Sequence, residues 1–115
     1  MALTKAQSTL MWVLTVLLGA VFIFAGAGKL IGMDEMVRSF QQFGYPAWFR
    51  IVIGIIEVTC GVALFVPKLA IDAASFLIVV MLGAVLTELI VGDSVIAPLV
   101  VLILLGSLAA LRGDE

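Results

Sequence analysis

Two carboxylates sit where water is expected to be absent. Glu57 lies in an apolar stretch between Gly54 and Gly61, and Glu88 lies near the end of a second such stretch. Ionisable groups inside a bilayer are costly, usually face a bundle interior or a water-filled cavity, and mark functional sites. Two basic residues, Lys29 and Arg50, border the same stretches. Acids and bases held together in a dry place suit proton exchange, ion pairing or the binding of a polar guest.

The stretches that position them dominate the chain. Of 115 residues 64% are hydrophobic and only 12% charged, with a mean hydropathy of +1.34. Soluble domains are roughly 45–50% apolar and about 25% charged. The composition therefore points to an integral membrane protein. A span takes about 20 apolar residues, so the length accommodates four spans with short loops. The expected fold is all-α, a membrane four-helix bundle in a single domain covering 1–115, with spans at about 10–28, 48–66, 73–91 and 98–111. The first run is too long for a signal h-region of about 7–15 residues and reads as a retained span.

Between spans one and two, Met33, Met36, Val37 and Phe40 follow the i, i+3, i+4, i+7 stripe of a short amphipathic helix. Gly44 and Pro46 suit its end. Such a helix either lies in the headgroup plane or packs on the bundle as a lid. Pro67 closes span two, Gly92-Asp93-Ser94 turns the chain after span three, and Pro98 suits the first turn of span four. The sequence Leu18-Gly19-Ala20-Val21 recurs as Leu82-Gly83-Ala84-Val85, too little to establish an internal repeat.

Depth follows from a helix rise of about 1.5 Å per residue. Counted from Trp48, Glu57 is roughly 13 Å deep and Arg50 roughly 3 Å. Counted from Gly92, Glu88 is roughly 6 Å deep on the same side. Lys29 ends span one there too. Arg50 and Glu88 are at similar levels on antiparallel helices and can form an ion pair. Arg50 and Glu57 share one helical face two turns apart, about 10 Å in rise. Lys29 joins them or snorkels to the interface. Glu57 is the hardest to satisfy, because desolvation penalises its charge. Gly83, Gly106 and Ser107 fall near its level. With Gly54 and Gly61 they either let helices approach closely or line a polar cavity, giving Gly54, Gly61, Gly83 and Ser107 as candidate pocket residues. Two readings of the acids stand. Glu57 is a hydrogen-bonded packing element with Arg50–Glu88 locking the bundle, or it binds a guest or handles protons. The second is preferred, because an apolar residue fills space at lower cost.

Several functions are disfavoured. The net charge of −2 speaks against nucleic-acid binding. Histidine is absent and Cys60 is the single cysteine, which removes the usual haem ligand, thiol redox pairs and an intrachain disulfide. No metal site or covalently held cofactor is expected. Lys5, Lys68, Arg112 and the α-amino group face one side, against Lys29, Arg38 and Arg50 on the other. The positive-inside rule thus leans to cytoplasmic termini, with Arg112 to Glu115 as a polar tail.

Three elements occur in order along the chain: Phe24-Ala25-Gly26-Ala27-Gly28-Lys29-Leu30, Phe43-Gly44-Tyr45-Pro46, and the segment from Arg50 through Gly54 and Glu57 to Gly61. In these the chain resembles the DoxX / DoxX-like family of small four-span membrane proteins, over roughly Leu10 to Arg112. The family's name comes from a subunit of a thiosulfate:quinone oxidoreductase of the respiratory membrane. Other members look like partners of redox-stress complexes, and vertebrate relatives resemble chaperones for membrane receptors. The resemblance implies a bacterial cytoplasmic membrane and a non-catalytic subunit of a redox assembly. Quinone is the implied ligand, and other membrane proteins or further copies of the chain are the implied partners. Lys29, Arg50 and Glu57 match polar positions of the pattern. Some members carry a histidine near the end of span three, where this chain has Glu88. Two other functions remain open: an assembly factor for membrane proteins, and a small proton-coupled carrier in which Glu57 alternates between proton and cation. Carriers of this size place their acid in the first span, which here has none before Lys29.

Overall fold

A computed structural model describes residues 3–114. The described residues form five helices: α1 (Lys5–Ile31), α2 (Asp34–Gln42), α3 (Ala47–Ala63), α4 (Ala70–Val91) and α5 (Ile96–Gly113). No strand occurs among the described residues.

Local chemistry fixes the helix ends. Thr4 and Gln7 form a reciprocal capping box at the start of α1, which satisfies two of the orphan N–H donors. At its other end Gly32 takes a left-handed φ of 76° and donates to the Gly28 carbonyl, a conformation that a side chain disfavours. α2 is the expected amphipathic helix. Its polar residues Asp34, Glu35, Arg38, Gln41 and Gln42 are exposed, and Met36, Val37 and Phe40 are half-buried. It touches both of its chain neighbours, α1 and α3.

The expectation of four spans needs correction. Three helices, α1, α4 and α5, are long and apolar enough to cross a membrane by length and composition. α3 has 17 residues, about 25 Å of helix, against a hydrocarbon core of about 30 Å. It stops at Ala63 rather than near Val66. Pro67 is the reason: its ring would collide with the carbonyl four residues back, that of Ala63, and it has no N–H to donate. The chain continues in tighter turns, with Phe65 N–H on Val62 O and Val66 N–H on Ala63 O. The other three helices run two to five residues past the expected bounds at one or both ends, except that α4 ends at Val91 as expected.

Packing is uneven. α1 packs chiefly on α3, and α4 on α5. The two pairs meet along narrower seams, α1 on α5 and α3 on α4. The apolar core joins Met11, Leu14, Leu18 and Phe22 of α1 to Leu64, to Ala73, Ala74 and Leu77 of α4, and to Leu105 and Leu108 of α5. It fills the half of the bundle nearest the chain ends. The enclosed Lys29–Glu57 pair and Glu88, half-buried on α4, lie in the other half, toward the α2 end.

Candidate functional site

α1 and α3 approach closely enough for their backbones to touch. A Cβ placed on Gly26 would lie 2.7 Å from Gly54 O, and one on Gly54 would lie 3.0 Å from Gly26 O and 3.1 Å from Lys29 Cβ. One end of the crossing thus admits no side chain on either helix. Two turns away, a Cβ on Gly61 would lie 3.2 Å from Gly19 O. Gly54 and Gly61 are therefore the small-residue seam that lets membrane helices pack by van der Waals contact.

This seam brings Lys29 to Glu57. Lys29 Nζ lies 2.7 Å from Glu57 Oε1, with 13% and 3% of the two side chains exposed. Lys29 occupies the last turn of α1, where the helix dipole favours a cation. Glu57 is on the buried stripe of α3 with Gly54 and Gly61, which Leu64 continues just past the helix end. The pair is an enclosed charge-assisted contact. It fixes two long side chains and compensates two charges that would be costly alone.

Arg50 is two helical turns from Glu57 but does something else. Its guanidinium Nη1 donates to the Lys29 backbone carbonyl. A Cβ on Gly32 would lie 3.7 Å from the same nitrogen, so the guanidinium covers the end of α1 beside its left-handed turn. Arg50 thus satisfies a C-terminal carbonyl and faces the negative end of the dipole. It holds the backbone of the residue whose ammonium meets Glu57.

Glu88 is on α4, on the stripe that continues Ala74, Leu77, Met81 and Ala84. The structure does not bring Arg50 to it as an ion pair. Its Oε2 is shielded and accepts no hydrogen bond among the described residues. Gly83 and Ser107, at the level of Glu57 by depth, are on exposed faces. A Cβ on Gly83 would meet nothing within 4 Å, and Ser107 Oγ donates to its own helix at Ile103 O, 3.0 Å away. Neither is beside the ion pair.

A second polar contact escaped the sequence reading. Arg112 is in α5 rather than in a tail. It is 3% exposed, donates from Nη2 to Thr15 Oγ1 at 3.2 Å, and stacks over the Trp12 ring at 4.7 Å. Thr15 is itself fully buried and donates to Met11 O at 2.8 Å. The signal was present in the spacing: Pro98, Leu105, Leu108 and Arg112 share one face of α5. Tyr45 and Thr87, whose hydroxyls are 2.6 Å apart, likewise join elements that sequence spacing alone does not relate.

Among the described residues no group of three or more His, Cys, Asp or Glu could hold a metal ion. No curated protein and no solved structure matches the chain. The family comparison is positive and covers both halves of the glycine seam, the Lys29–Glu57 pair and Glu88: the DoxX-like family matches residues 13–110, and the chain belongs to that family.

Proposed function

We propose that this DoxX-like protein is a membrane subunit of a redox assembly that works with quinone, contributing a buried polar site rather than catalysis of its own. The observation that carries this is the Lys29–Glu57 pair, 2.7 Å apart and enclosed by the α1–α3 crossing. Apolar residues of similar size would close that crossing at lower cost, so an acid and a base there speak for more than packing. The redox context comes from the family resemblance.

The donor set fits a quinone. Its carbonyl oxygen needs a hydrogen-bond donor, and the Lys29 ammonium has three N–H groups. Lys29 is also the more exposed partner, so a guest reaches the pair from its side. A quinone, when bound, supplies the electron-accepting ring. With a quinone bound, Lys29 would donate to a ring oxygen and supply a proton as the ring takes up electrons, Glu57 holds the ammonium in place and would return a proton to it, and Arg50 fixes the Lys29 backbone. Electrons come from a partner subunit.

The test is quinone-dependent electron flux in the assembly purified from native membranes, with wild-type protein, Glu57→Gln and Lys29→Met. The expected result is a drop of about tenfold or more for each variant with unchanged subunit composition, the size of a lost positioning or proton-handling group. Undiminished flux with the same dominant partner still bound would reject the quinone role. It would support a second reading, a scaffold for other membrane proteins. One observation favours that reading: the charges of the pair are already spent on each other. The open length of α4, with Phe76, Val79, Leu86 and Ile90 all more than half exposed, then becomes the working surface.

A further inference from the structure

The outer face of α1 carries an open groove at the end of the bundle away from α2. It has a volume of about 710 Å³ and lies along Lys5, Ser8, Trp12, Val13, Val16 and Leu17. Its length fits one leaflet of a bilayer. From Lys5 to Leu17 is about 18 Å of helix, a little more than half of a hydrocarbon core about 30 Å thick. α1 has 27 residues, about 40 Å of helix, so its first residues reach headgroup level. The groove therefore runs from the headgroups to the midplane. Its apolar part is made of exposed, bulky side chains, Val13, Val16 and Leu17. Helices that associate in lipid meet on small residues. The glycines of α1 that serve this purpose, Gly19 and Gly26, face α3 instead. The groove thus suits a flexible hydrocarbon chain better than a second helix.

Its mouth is polar and positively charged. Lys5 is exposed and makes no ion pair among the described residues. No acidic residue occupies the first turn of α1, so the positive end of the helix dipole adds to the lysine. The Thr9 hydroxyl donates to Lys5 O at 2.9 Å, which leaves Ser8 to offer a hydroxyl to a guest. Trp12 is a braced wall of the groove, because the buried Arg112 guanidinium is held 4.7 Å from its ring.

We infer that this groove binds a phospholipid with an anionic headgroup, its phosphate against Lys5 and Ser8 and one acyl chain along Val13, Val16 and Leu17. The uncompensated positive charge selects the headgroup, and the apolar length holds the chain. A zwitterionic lipid fits the same groove but brings a cation of its own toward Lys5. The site is at the opposite end of α1 from the Lys29–Glu57 pair and does not depend on the quinone reading.

The test uses the full chain in mild detergent, with phosphatidylglycerol and phosphatidylcholine of identical acyl chains added in equal amounts and retained lipid counted by native mass spectrometry. Wild type is expected to retain phosphatidylglycerol about fivefold better, the worth of one basic residue against an anionic headgroup. Lys5→Gln is expected to erase the preference. Lys68→Gln, which removes a charge on the same side but outside the groove, is expected to keep it. Val16→Trp fills the groove with the lysine intact and is also expected to abolish the preference. All three positions are exposed, so helical content by circular dichroism is expected to stay at the wild-type value. Equal retention of the two lipids by wild type would overturn the site. Loss of the preference in Lys68→Gln, or its survival in Val16→Trp, would do the same, because the lysine then acts as general surface charge without the groove. If Val16→Trp instead sheds a second copy of the chain or another protein, a helix occupies the groove and the lipid assignment falls.

Discussion

Replacing Lys29 by methionine leaves Glu57 enclosed without its counter-charge, and the structure sets the size of the effect. At 2.7 Å two unit charges attract by about 6 kcal/mol if the effective dielectric constant is about 20. Desolvation of both groups consumes much of this, so the pair's net worth is small. The single variant is different, because it keeps the cost of one buried charge and loses the compensation. Lys29→Met and Glu57→Gln are therefore each expected to destabilise, the first by about 3–5 kcal/mol and the second by less, because glutamine still accepts from the ammonium. The double variant Lys29→Met/Glu57→Met is expected to return to within about 1 kcal/mol of wild type or to exceed it. Reversible unfolding in mixed micelles, followed by far-ultraviolet circular dichroism across the double-mutant cycle, measures these values. A cost below about 1 kcal/mol for Lys29→Met, or a double variant as unstable as the sum of the singles, would refute the claim that the two residues are a dry, mutually dependent pair.

Other substitutions test the surrounding geometry. Gly26→Val forces a branched side chain into the contact with Gly54 O at 2.7 Å and is expected to cost about 1–3 kcal/mol or more in the same unfolding assay, whereas Gly83→Ala, with open space around it, is expected to be neutral or slightly stabilising. Arg50→Gln is expected to lower stability by about 1.5–3 kcal/mol through loss of a charged donor to the Lys29 carbonyl, and faster amide exchange confined to the last turn of α1 is the accompanying signature. Arg112→Leu with Thr15→Val should be less destabilising than Arg112→Leu alone, because Thr15 Oγ1 loses the donor that reaches it, and thermal melts of the two proteins decide this.

Much of the architecture follows from counting residues. The apolar runs, the stripe of Met36, Val37 and Phe40, and the glycine before Pro46 specify helices and their order. Rise along a helix is also countable, which is why Lys29, Arg50, Glu57 and Glu88 come out toward one end. Rotation about the bundle is not countable, because it depends on which helix packs against which. Gly83 shares the level of Glu57 but is six residues from Leu77, roughly 120° away around the helix, and faces outward. Arg50 was matched to Glu88 by depth, yet its nearest acceptor is a backbone carbonyl that exists only because α1 ends there. The shortfall of α3 was legible in principle, since Pro67 sets the limit at Ala63, but hydropathy alone carries a span through to Val66.

The two halves of the interior have different work. Toward the chain ends the space is filled by Leu14, Leu18, Leu77, Leu105 and Leu108, and the buried Arg112 there is tied to Thr15 and Trp12. Toward α2 lie the enclosed Lys29–Glu57 pair and the half-buried Glu88. In lipid, apolar side chains gain little by leaving a hydrocarbon solvent, so helix association rests on close packing and polar contacts. The α1–α3 pair has both, through its glycines and its ion pair. The α3–α4 seam has neither in that measure, and on this side it relies on the Tyr45–Thr87 hydrogen bond. It follows that α1 and α3 with their pair act as the fixed element, and that movement at the α2 end is expected along the α3–α4 seam.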